Sequence, residues 1–362
     1  MSDPCLFYKR TRSGRLLLLF LFVDDMQVAV SAADRAEWLE LFAQLKARFN
    51  ITDLGESKFM LGMRITRDRR ERTIRLDQEL YTTKALEKFG LDRCKPVSTP
   101  GVPASRDADG DTQRADESDE PTDLKLYQEK VGTLLYAAIS TRPDIAYPVN
   151  RLTQRMQAPT VRDAKACDRV FRYLAGTKSL GLLFGRGKRG SKLTVSAYAD
   201  ADWAGDRNDR KSVSGWVAFL NGDPVSWASK KQKVVSQSTC EAELYAEAAA
   251  INETKWLSGL LSELGLSVAS APLIYGDNQS TQALSKNGIK SERTKHIDVK
   301  YAYIHDEVES GRVKLQWIPT TEQLADVLTK ALPRAAHELL REQLMADSTV
   351  VIKKQRTADR RC

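Results

Sequence analysis

Four acidic residues, each in its own segment, constrain the fold of this chain more than any other feature. They are Asp200, Glu243, Asp277 and Asp326. Phosphodiester cleavage with two divalent ions requires a carboxylate cluster that holds both metals, so that one ion activates water and the other stabilises the leaving oxygen. Mg²⁺ prefers hard oxygen ligands, which explains why carboxylates rather than Cys or His would serve. If the fold brings the four residues to one site, their carboxylates could hold two Mg²⁺ (or Mn²⁺) ions in this way.

The pattern around these acids predicts an α/β domain with a five-stranded mixed sheet over residues 186–345. The alternation before Asp200 is typical of a half-buried strand and places Asp200 at the strand end. Residues 221–223 form a turn signal between two antiparallel strands. The predicted strands are 192–199, 215–220, 224–229, 273–275 and 312–318, and the predicted helices are 241–264, 298–309 and 321–330.

The segments that carry the four acids resemble the active-site motifs of ribonucleases H. They are 195–202, 241–246, 274–279 and 323–330. The resemblance implies that the four carboxylates meet at one site and hold two Mg²⁺ (or Mn²⁺) ions. It also implies hydrolysis of RNA in an RNA–DNA hybrid, with a 3′-hydroxyl and a 5′-phosphate as products. Shape and 2′-hydroxyl contacts would select the RNA strand. Cellular ribonucleases H carry a His before the last acid, but residues 319–322 contain none here, which leaves proton transfer to Glu322, to water or to no group at all.

Other acidic and basic side chains in this domain have plainer interpretations. Asp202 and Asp206 are interpreted as turn residues or as neighbours of the site. Glu241 is interpreted as a solvated acid in the first turn of a helix. His296 and His305 are interpreted as packing or surface residues. Phosphate contacts from basic side chains would position a hybrid without reading its sequence. The candidates are Lys230, Lys231 and Lys233, with Arg207, Arg210 and Lys211. A solvated charged loop explains each of these cations equally well.

A second pair of carboxylates, Asp24 and Asp25, follows the apolar run 16–23 near the N-terminus. Strands on both sides predict an antiparallel meander with the acidic pair at a hairpin tip, although Asp-Asp is also ordinary turn chemistry. The run is too short to span a bilayer and lacks the small-residue cleavage site of a secretory signal. We therefore predict a buried strand in a protein that is intracellular (cytoplasmic, nuclear or both), not secreted and without a membrane partner.

The segment 22–26 resembles the Tyr-x-Asp-Asp signature of reverse transcriptases, in which the paired aspartates bind the metals of nucleotidyl transfer. The stretch 49–65 is similar to the one that follows this hairpin in copia-type LTR retrotransposon polymerases. Further ordered matches are 95–100, 127–136, 141–147, 172–177, 202–206, 212–216, 225–232, 293–298 and 324–330. The chain is identified as a member of that family, as the C-terminal part of the reverse transcriptase plus a ribonuclease H domain, over roughly residues 4–345.

The resemblance also implies what a polymerase would still require. A palm needs another metal-binding aspartate on an earlier strand, and fingers that grip the nucleotide, but only 23 residues precede Asp24. Phe22 stands where the family usually has tyrosine. We expect a truncated palm without polymerase activity, in a fragment whose partners include nucleic acid and other parts of a polyprotein. The alternative function is a catalytically inactive remnant that binds nucleic acid without cutting it.

We predict five parts along the chain. They are the C-terminal part of the palm at 1–95, an acidic flexible linker at 96–123, a helical thumb- or connection-like module at 124–185, the ribonuclease H-like domain at 186–345 and a basic tail at 346–362. The linker is inferred from clustered acids and few large apolar side chains. In the module, the helical pattern runs to residue 183 with breaks at Pro143 and Pro148, where Arg142 and Asp144 are assigned to helix capping.

Within the palm part, residues 31–49 are predicted to form a helix capped by Ser31 or Asp34. Residues 67–72 are predicted to form a hairpin turn, and residues 78–90 a second helix. The net charge of +8, from 56 basic and 48 acidic residues, supports an anionic partner. Five Cys without a CxxC pair indicate a reducing compartment with neither a disulfide framework nor a zinc site.

Overall fold

The computed structural model describes residues 3–103, 120–185, 192–206, 208–279, 281 and 298–347. Most of the predicted linker (104–119), most of the predicted tail (348–362), Arg207 and His296 lie outside these residues. Among the described residues, no helix combines the length and the apolar composition that a membrane span requires.

The described strands fall into three sheets. They are β1 Leu6–Arg10, β2 Leu16–Phe22, β3 Asp25–Ala29, β4 Phe59–Met60, β5 Met63–Asp68, β6 Thr73–Asp77, β7 Leu180–Phe184, β8 Val195–Asp202, β9 Val213–Leu220, β10 Asp223–Lys231, β11 Leu273–Gly276, β12 Lys314–Trp317 and β13 Ala346–Asp347. The described α-helices are α1 Arg35–Lys46, α2 Glu79–Lys88, α3 Leu124–Ser140, α4 Ala146–Thr153, α5 Val161–Gly176, α6 Thr239–Glu263, α7 Asp298–Glu309 and α8 Arg334–Leu344.

The C-terminal sheet has the strand order β10-β9-β8-β11-β12. β9 pairs antiparallel with β10 and β8, whereas β11 pairs parallel with β8 and β12. Asn221 and Gly222, with φ of 54° and 84°, form the two-residue loop between β9 and β10, because a tight hairpin turn requires positive φ at both positions. The predicted five-stranded mixed sheet is confirmed.

The C-terminal sheet is buried on both faces. Side chains of a strand alternate between the faces, so Trp216 and Ala218 of β9 join a core with α6 and α7, while Val217 and Phe219 join a different core. That second core includes residues from α4, β7, α8 and the 3₁₀ turn Leu324–Leu328. The sheet is therefore packed against the helical module as well as against its own helices.

The helical module consists of α3, α4 and α5, which pack with α2 around one core. Its fully buried side chains include Leu134, Val149 and Phe171. The predicted helix break at Pro143 is confirmed, since a short 3₁₀ turn, Pro143–Ile145, separates α3 from α4. The break predicted at Pro148 is wrong. Pro148 lies in the first turn of α4, where backbone N–H groups have no partner within the helix, so proline costs little there.

The helical pattern predicted up to residue 183 is also wrong at its end. β7 pairs antiparallel with β6 and joins a five-stranded sheet of order β13-β7-β6-β5-β4. Its sequence LGLLF is a short apolar run, which periodicity does not distinguish from a helical segment. Gly181 permits the pairing, because a Cβ at this position would lie 2.3 Å from the carbonyl oxygen of Leu76.

The N-terminal sheet is the antiparallel meander β1-β2-β3. Phe22 pairs with Asp25, so Val23 and Asp24 form the hairpin loop, and Val23 has a φ of 52°. After β3, neither Ser31 nor Asp34 makes the side-chain capping bond that the sequence predicts. β1 contacts the C-terminal part of the chain through Arg10, whose guanidinium donates to the carbonyl oxygen of Gly265 just after α6 (3.0 Å).

Candidate active site

Three of the four predicted acids meet at the centre of the C-terminal sheet. One carboxylate oxygen from each of Asp200, Glu243 and Asp277 lies within 4.8 Å of the others. Asp200 is on β8, Asp277 directly follows the neighbouring strand β11, and Glu243 lies on α6, which packs against this sheet. Asp200 was predicted at the strand end but lies two residues inside it, opposite Gly215 of β9.

Glu243 is the member of this group that depends most on a cation. The residue is buried, and burial together with the nearby carboxylates of Asp200 and Asp277 raises its pKa to about 10. Without a cation, this environment favours the protonated form of Glu243. A divalent ion would offset both causes, since it supplies positive charge and exchanges for the proton.

The first turn of α6 fixes the position of Glu243. Ser238 caps the helix, because its hydroxyl oxygen accepts a hydrogen bond from the backbone N–H of Glu241 (3.1 Å). The carboxylate of Glu241 accepts one from the backbone N–H of Gln237 (2.6 Å), and the residue is buried. The prediction that Glu241 is a solvated acid is wrong, because the side chain folds back onto the chain entering the helix.

Asp326 lies beside the group of three rather than within it. It is part of the 3₁₀ turn Leu324–Leu328, not of the predicted helix 321–330, and α8 begins later, at Arg334. Gln323 ties this turn to β8 by donating to the carbonyl oxygen of Ala199 (2.8 Å). Burial and the charge of Asp200 raise the pKa of Asp326 to about 7.

Lys330 joins Asp326 to Asp200, and its role was not anticipated from the sequence. Its Nζ lies 2.8 Å from Oδ1 of Asp326 and 3.7 Å from Oδ2 of Asp200. Burial acts to lower the pKa of Lys330, but the carboxylates of Asp200 and Asp326 outweigh burial and raise it. The hydroxyl of Thr329 also donates to Oδ2 of Asp200. The four-residue spacing from Asp326 to Lys330 was the available sequence signal.

Gly215 makes this close approach possible. It pairs with Asp200 across β8 and β9, and a Cβ at this position would lie 2.7 Å from Cγ2 of Thr329 and 2.8 Å from Cβ of Leu328. Any larger residue would push the segment 328–330 away from the sheet. Gly215 therefore sets the distance between Asp200 and the chain that carries Asp326 and Lys330.

Glu247 is a fifth acid near the site, and it lies one helical turn after Glu243 on α6. It is 2% exposed, and its Oε2 has no hydrogen-bond partner in the part of the chain that the structure describes. Burial and the charge of Asp277 raise its pKa to about 8. Burial therefore favours the protonated form of Glu247 as well.

Asp277 is oriented by hydrogen bonds from β12 and from the 3₁₀ turn that follows it. The hydroxyl of Thr320 donates to Oδ2 of Asp277 (2.7 Å), and the indole N–H of Trp317 donates to its carbonyl oxygen (3.0 Å). Trp317 is nevertheless 44% exposed. Glu322 is the residue considered for proton transfer because residues 319–322 contain no histidine. It is exposed and is the last residue of the 3₁₀ turn Thr320–Glu322.

The other candidate acids and cations near the site divide into internal pairs and exposed groups. Asp206 is buried and forms ion pairs with Lys231 and, at 3.5 Å, with Arg151 of α4. Lys231 also pairs with Asp209 at 2.9 Å, so it is engaged within the protein. Lys230 and Lys233 are exposed.

Two further candidates are not members of the group of three carboxylates. Burial raises the pKa of Asp202, which follows Asp200 on β8. His305 lies 3.5 Å from Glu309 of the same helix, away from the three carboxylates.

Asp24 and Asp25 are exposed at the tip of the N-terminal sheet. Among the described residues, neither belongs to a group of three Asp, Glu, His or Cys side chains close enough to share a metal ion. The donor set at Asp200, Glu243 and Asp277 fits a hard divalent cation, because it consists of carboxylate oxygens in a largely buried setting.

The strand order, the helix α6 and the grouped carboxylates define a ribonuclease H-like domain. A family model described as reverse transcriptase (RNA-dependent DNA polymerase) matches residues 2–103. The chain belongs to the retrovirus-related Pol polyproteins of copia-type transposons, and it joins a reverse transcriptase-like part to the ribonuclease H-like domain.

Relatives in two plants support this assignment. The Pol polyprotein from transposon TNT 1-94 of Nicotiana tabacum is 38% identical over 94% of this chain and 25% of its own length. The Pol polyprotein from transposon RE1 of Arabidopsis thaliana is 36% identical over 93% of this chain and 22% of its own length. The chain thus spans about a quarter of the length of these two relatives.

Among solved structures, ribonuclease H1 from Halobacterium salinarum matches this chain with 17% sequence identity and a TM-score of 0.27. The match covers 38% of this chain and 94% of the ribonuclease H1 chain. This likeness is distant. The fold assignment therefore depends on the strand order and connections of the C-terminal sheet.

Proposed function

We propose that this protein hydrolyses the RNA strand of RNA–DNA hybrids at the site formed by Asp200, Glu243 and Asp277, with Asp326 beside them. The observation that carries this proposal is the meeting of three carboxylates from β8, α6 and the end of β11 within 4.8 Å. The three residues are separated along the chain, so only folding brings their charges together. Ionising all three of these largely buried carboxylates is unfavourable unless a cation balances their charge.

Mg²⁺ or Mn²⁺ is the cofactor that this donor set suits, and two ions would activate water and stabilise the leaving oxygen. Asp200, Glu243 and Asp277 would hold one ion, and Asp200 with Asp326 would hold the second. Thr320 and Thr329 orient the carboxylates of Asp277 and Asp200 through their hydroxyl groups. Glu322 or water would protonate the leaving oxygen.

The substrate would lie across the exposed side of this site. Lys230 and Lys233 are exposed, and they suit phosphate contacts that position a duplex without reading its sequence. Contacts to 2′-hydroxyl groups would then distinguish the RNA strand from the DNA strand. A nucleic-acid substrate is consistent with the net charge of +8 and with a site of action inside the cell.

The test is cleavage of a labelled RNA–DNA hybrid by the full chain with Mg²⁺ or Mn²⁺. Asp277→Asn removes one ligand and one negative charge, so we expect the rate to fall by orders of magnitude while the melting temperature is maintained. Asp92→Asn is the matched control, because Asp92 is an exposed acid outside the site. Equal rates for Asp277→Asn and the parent would contradict the assignment. Hybrid binding without cleavage by the parent would favour the inactive nucleic-acid-binding remnant.

A further inference from the structure

The ammonium group of Lys330 occupies one side of the proposed metal site. It lies between Asp326 (2.8 Å) and Asp200 (3.7 Å), whereas Glu243 and Asp277 lie with Asp200 in the group of three. Asp200 therefore belongs to both halves of the site. One half consists of three carboxylates, and the other consists of two carboxylates and a lysine.

The main chain holds Lys330 at this position. The backbone N–H of Lys330 donates to the carbonyl oxygen of Asp326 (3.2 Å), and Thr329 is hydrogen-bonded to Asp200. Gly215 lets this segment lie directly against β9. The Lys330 side chain is 36% exposed, so its flexible stem has a route to solvent that the side chains of Asp200 and Asp326, 4% and 9% exposed, do not have.

We propose that Lys330 is a built-in cation at the second metal position, which balances Asp200 and Asp326 until nucleic acid arrives. This inference rests on the proposed function. An ammonium group balances charge and donates hydrogen bonds, but it has no coordination positions and therefore does not bind and activate water as a divalent metal ion does. A second divalent ion therefore binds between Asp200 and Asp326 only after the Lys330 head group has moved away.

The phosphates of a bound hybrid supply the alternative partner for Lys330. A nearby phosphate attracts the displaced ammonium group, and the same duplex brings oxygen ligands for the second ion. The consequence is an order of binding. The free protein takes one divalent ion at Asp200, Glu243 and Asp277, and the second ion enters together with the hybrid.

Calorimetric titration with Mn²⁺, in the full chain without nucleic acid, tests this order. We expect one ion per chain for the parent and two for Lys330→Met, which keeps the unbranched shape and most of the length of the side chain and removes its charge. Lys330→Arg keeps the charge and should bind one ion. Lys314→Met is the matched control, because Lys314 is an exposed lysine at the far end of β12, and it should also bind one ion.

Thermal unfolding gives a second measurement that does not require activity. In a metal chelator, Lys330→Met leaves Asp200 and Asp326 without their cation, so its melting temperature should fall below that of the parent. Saturating Mg²⁺ should raise the melting temperature of Lys330→Met more than that of the parent.

The outcomes separate the two proposals. One ion of unchanged affinity in Lys330→Met, with the same Mg²⁺ effect on the melting temperature as in the parent, would overturn the role of Lys330 and leave the proposed function intact. A parent that binds no ion at all, or that binds equally well after Asp277→Asn, would count against the proposed function itself.

Discussion

Arg142 and Asp144 form a two-point ion pair inside the protein, with Nε to Oδ1 at 2.9 Å and Nη2 to Oδ2 at 2.8 Å. Each residue is 1% exposed, and Tyr173 also donates to Asp144 (2.6 Å). Burial acts to raise the pKa of Asp144, but the charge and hydrogen bonds of Arg142 outweigh burial and lower it. The helix-capping role predicted for these residues at the break between α3 and α4 is wrong, since neither makes a side-chain capping bond there.

Arg142→Met should destabilise the protein by about 3–5 kcal/mol, because it leaves the Asp144 carboxylate buried without its cation. Urea unfolding of the full chain measures this loss. The double variant Arg142→Met with Asp144→Leu should recover much of the stability, since replacing both members of a buried pair is far less costly. Arg93→Met removes an exposed guanidinium (97%) and should change the free energy of unfolding by less than about 1 kcal/mol. A similarly small loss for Arg142→Met would contradict the prediction.

His337 of α8 should make stability depend on pH. Its Nε2–H donates to the carbonyl oxygen of Asp144 (3.4 Å), and its ring packs edge-on against Tyr173. Burial lowers the pKa of His337 below its ordinary value of about 6.5. The imidazole therefore binds a proton more readily in the unfolded chain than in the folded one. Stability is therefore lost as the pH falls from about 7 toward the folded-state pKa.

The free energy of unfolding at pH 7 and pH 5 measures this effect. The fall between the two values should be smaller for His337→Gln than for the parent. His305→Gln is the matched control, because His305 pairs with the exposed Glu309 and should leave the fall unchanged. An identical fall in the parent and in His337→Gln would show that other groups cause the pH dependence.

The isolated fragment 186–345 should be less stable than the same region in the full chain. Val217 and Phe219 face a core shared with α4 and β7, and Trp227 donates its indole N–H to the carbonyl oxygen of Ala138 in α3 (2.8 Å). Removing α3, α4 and β7 exposes this apolar face, which favours association between molecules. Denaturant unfolding and light scattering on the fragment and the full chain test this. Equal stability with a monodisperse fragment would contradict the prediction.

Affinity for an RNA–DNA hybrid should fall steeply with salt, because bound lysines release counterions from phosphates. In an Asp277→Asn background that prevents cleavage, Lys230→Ala and Lys233→Ala should each reduce the slope of log affinity against log salt by about one. Lys231→Ala should mainly reduce stability, since Lys231 is paired with Asp206 and Asp209. Fluorescence anisotropy at several salt concentrations provides the slope. A flat affinity in the parent would mean that the basic excess serves solubility alone.

The chain should not extend a primer on an RNA template. Asp24 and Asp25 are exposed at a hairpin tip, and no third carboxylate among the described residues lies close enough to complete a metal site there. Positioning of metals and triphosphate is the main source of rate in phosphoryl transfer. A primer-extension assay with the 362-residue chain tests this. Extension that disappears on Asp24→Ala would show that the hairpin works without further palm residues of this chain.

Local chemistry allowed much of the C-terminal domain to be predicted from the sequence. Asn221 and Gly222 adopt positive φ readily, so the β9–β10 hairpin follows from two adjacent residues. The alternation along β8 and the long pattern of α6 likewise depend on neighbours in sequence. The convergence of Asp200, Glu243 and Asp277 followed from a family resemblance in their motifs, and the structure brings these three together.

Only the tertiary structure decided which partners the ambiguous residues have. Leu180–Phe184 is a strand because β6 offers it an edge, and Glu241 is buried because the chain before α6 folds over it. Lys330 lies beside the acidic residues because Gly215 has no side chain and lets the segment 328–330 pack directly against β9. In each case the energy comes from a contact between residues distant in sequence. Composition and periodicity describe neighbours along the chain, so they hold no information about such contacts.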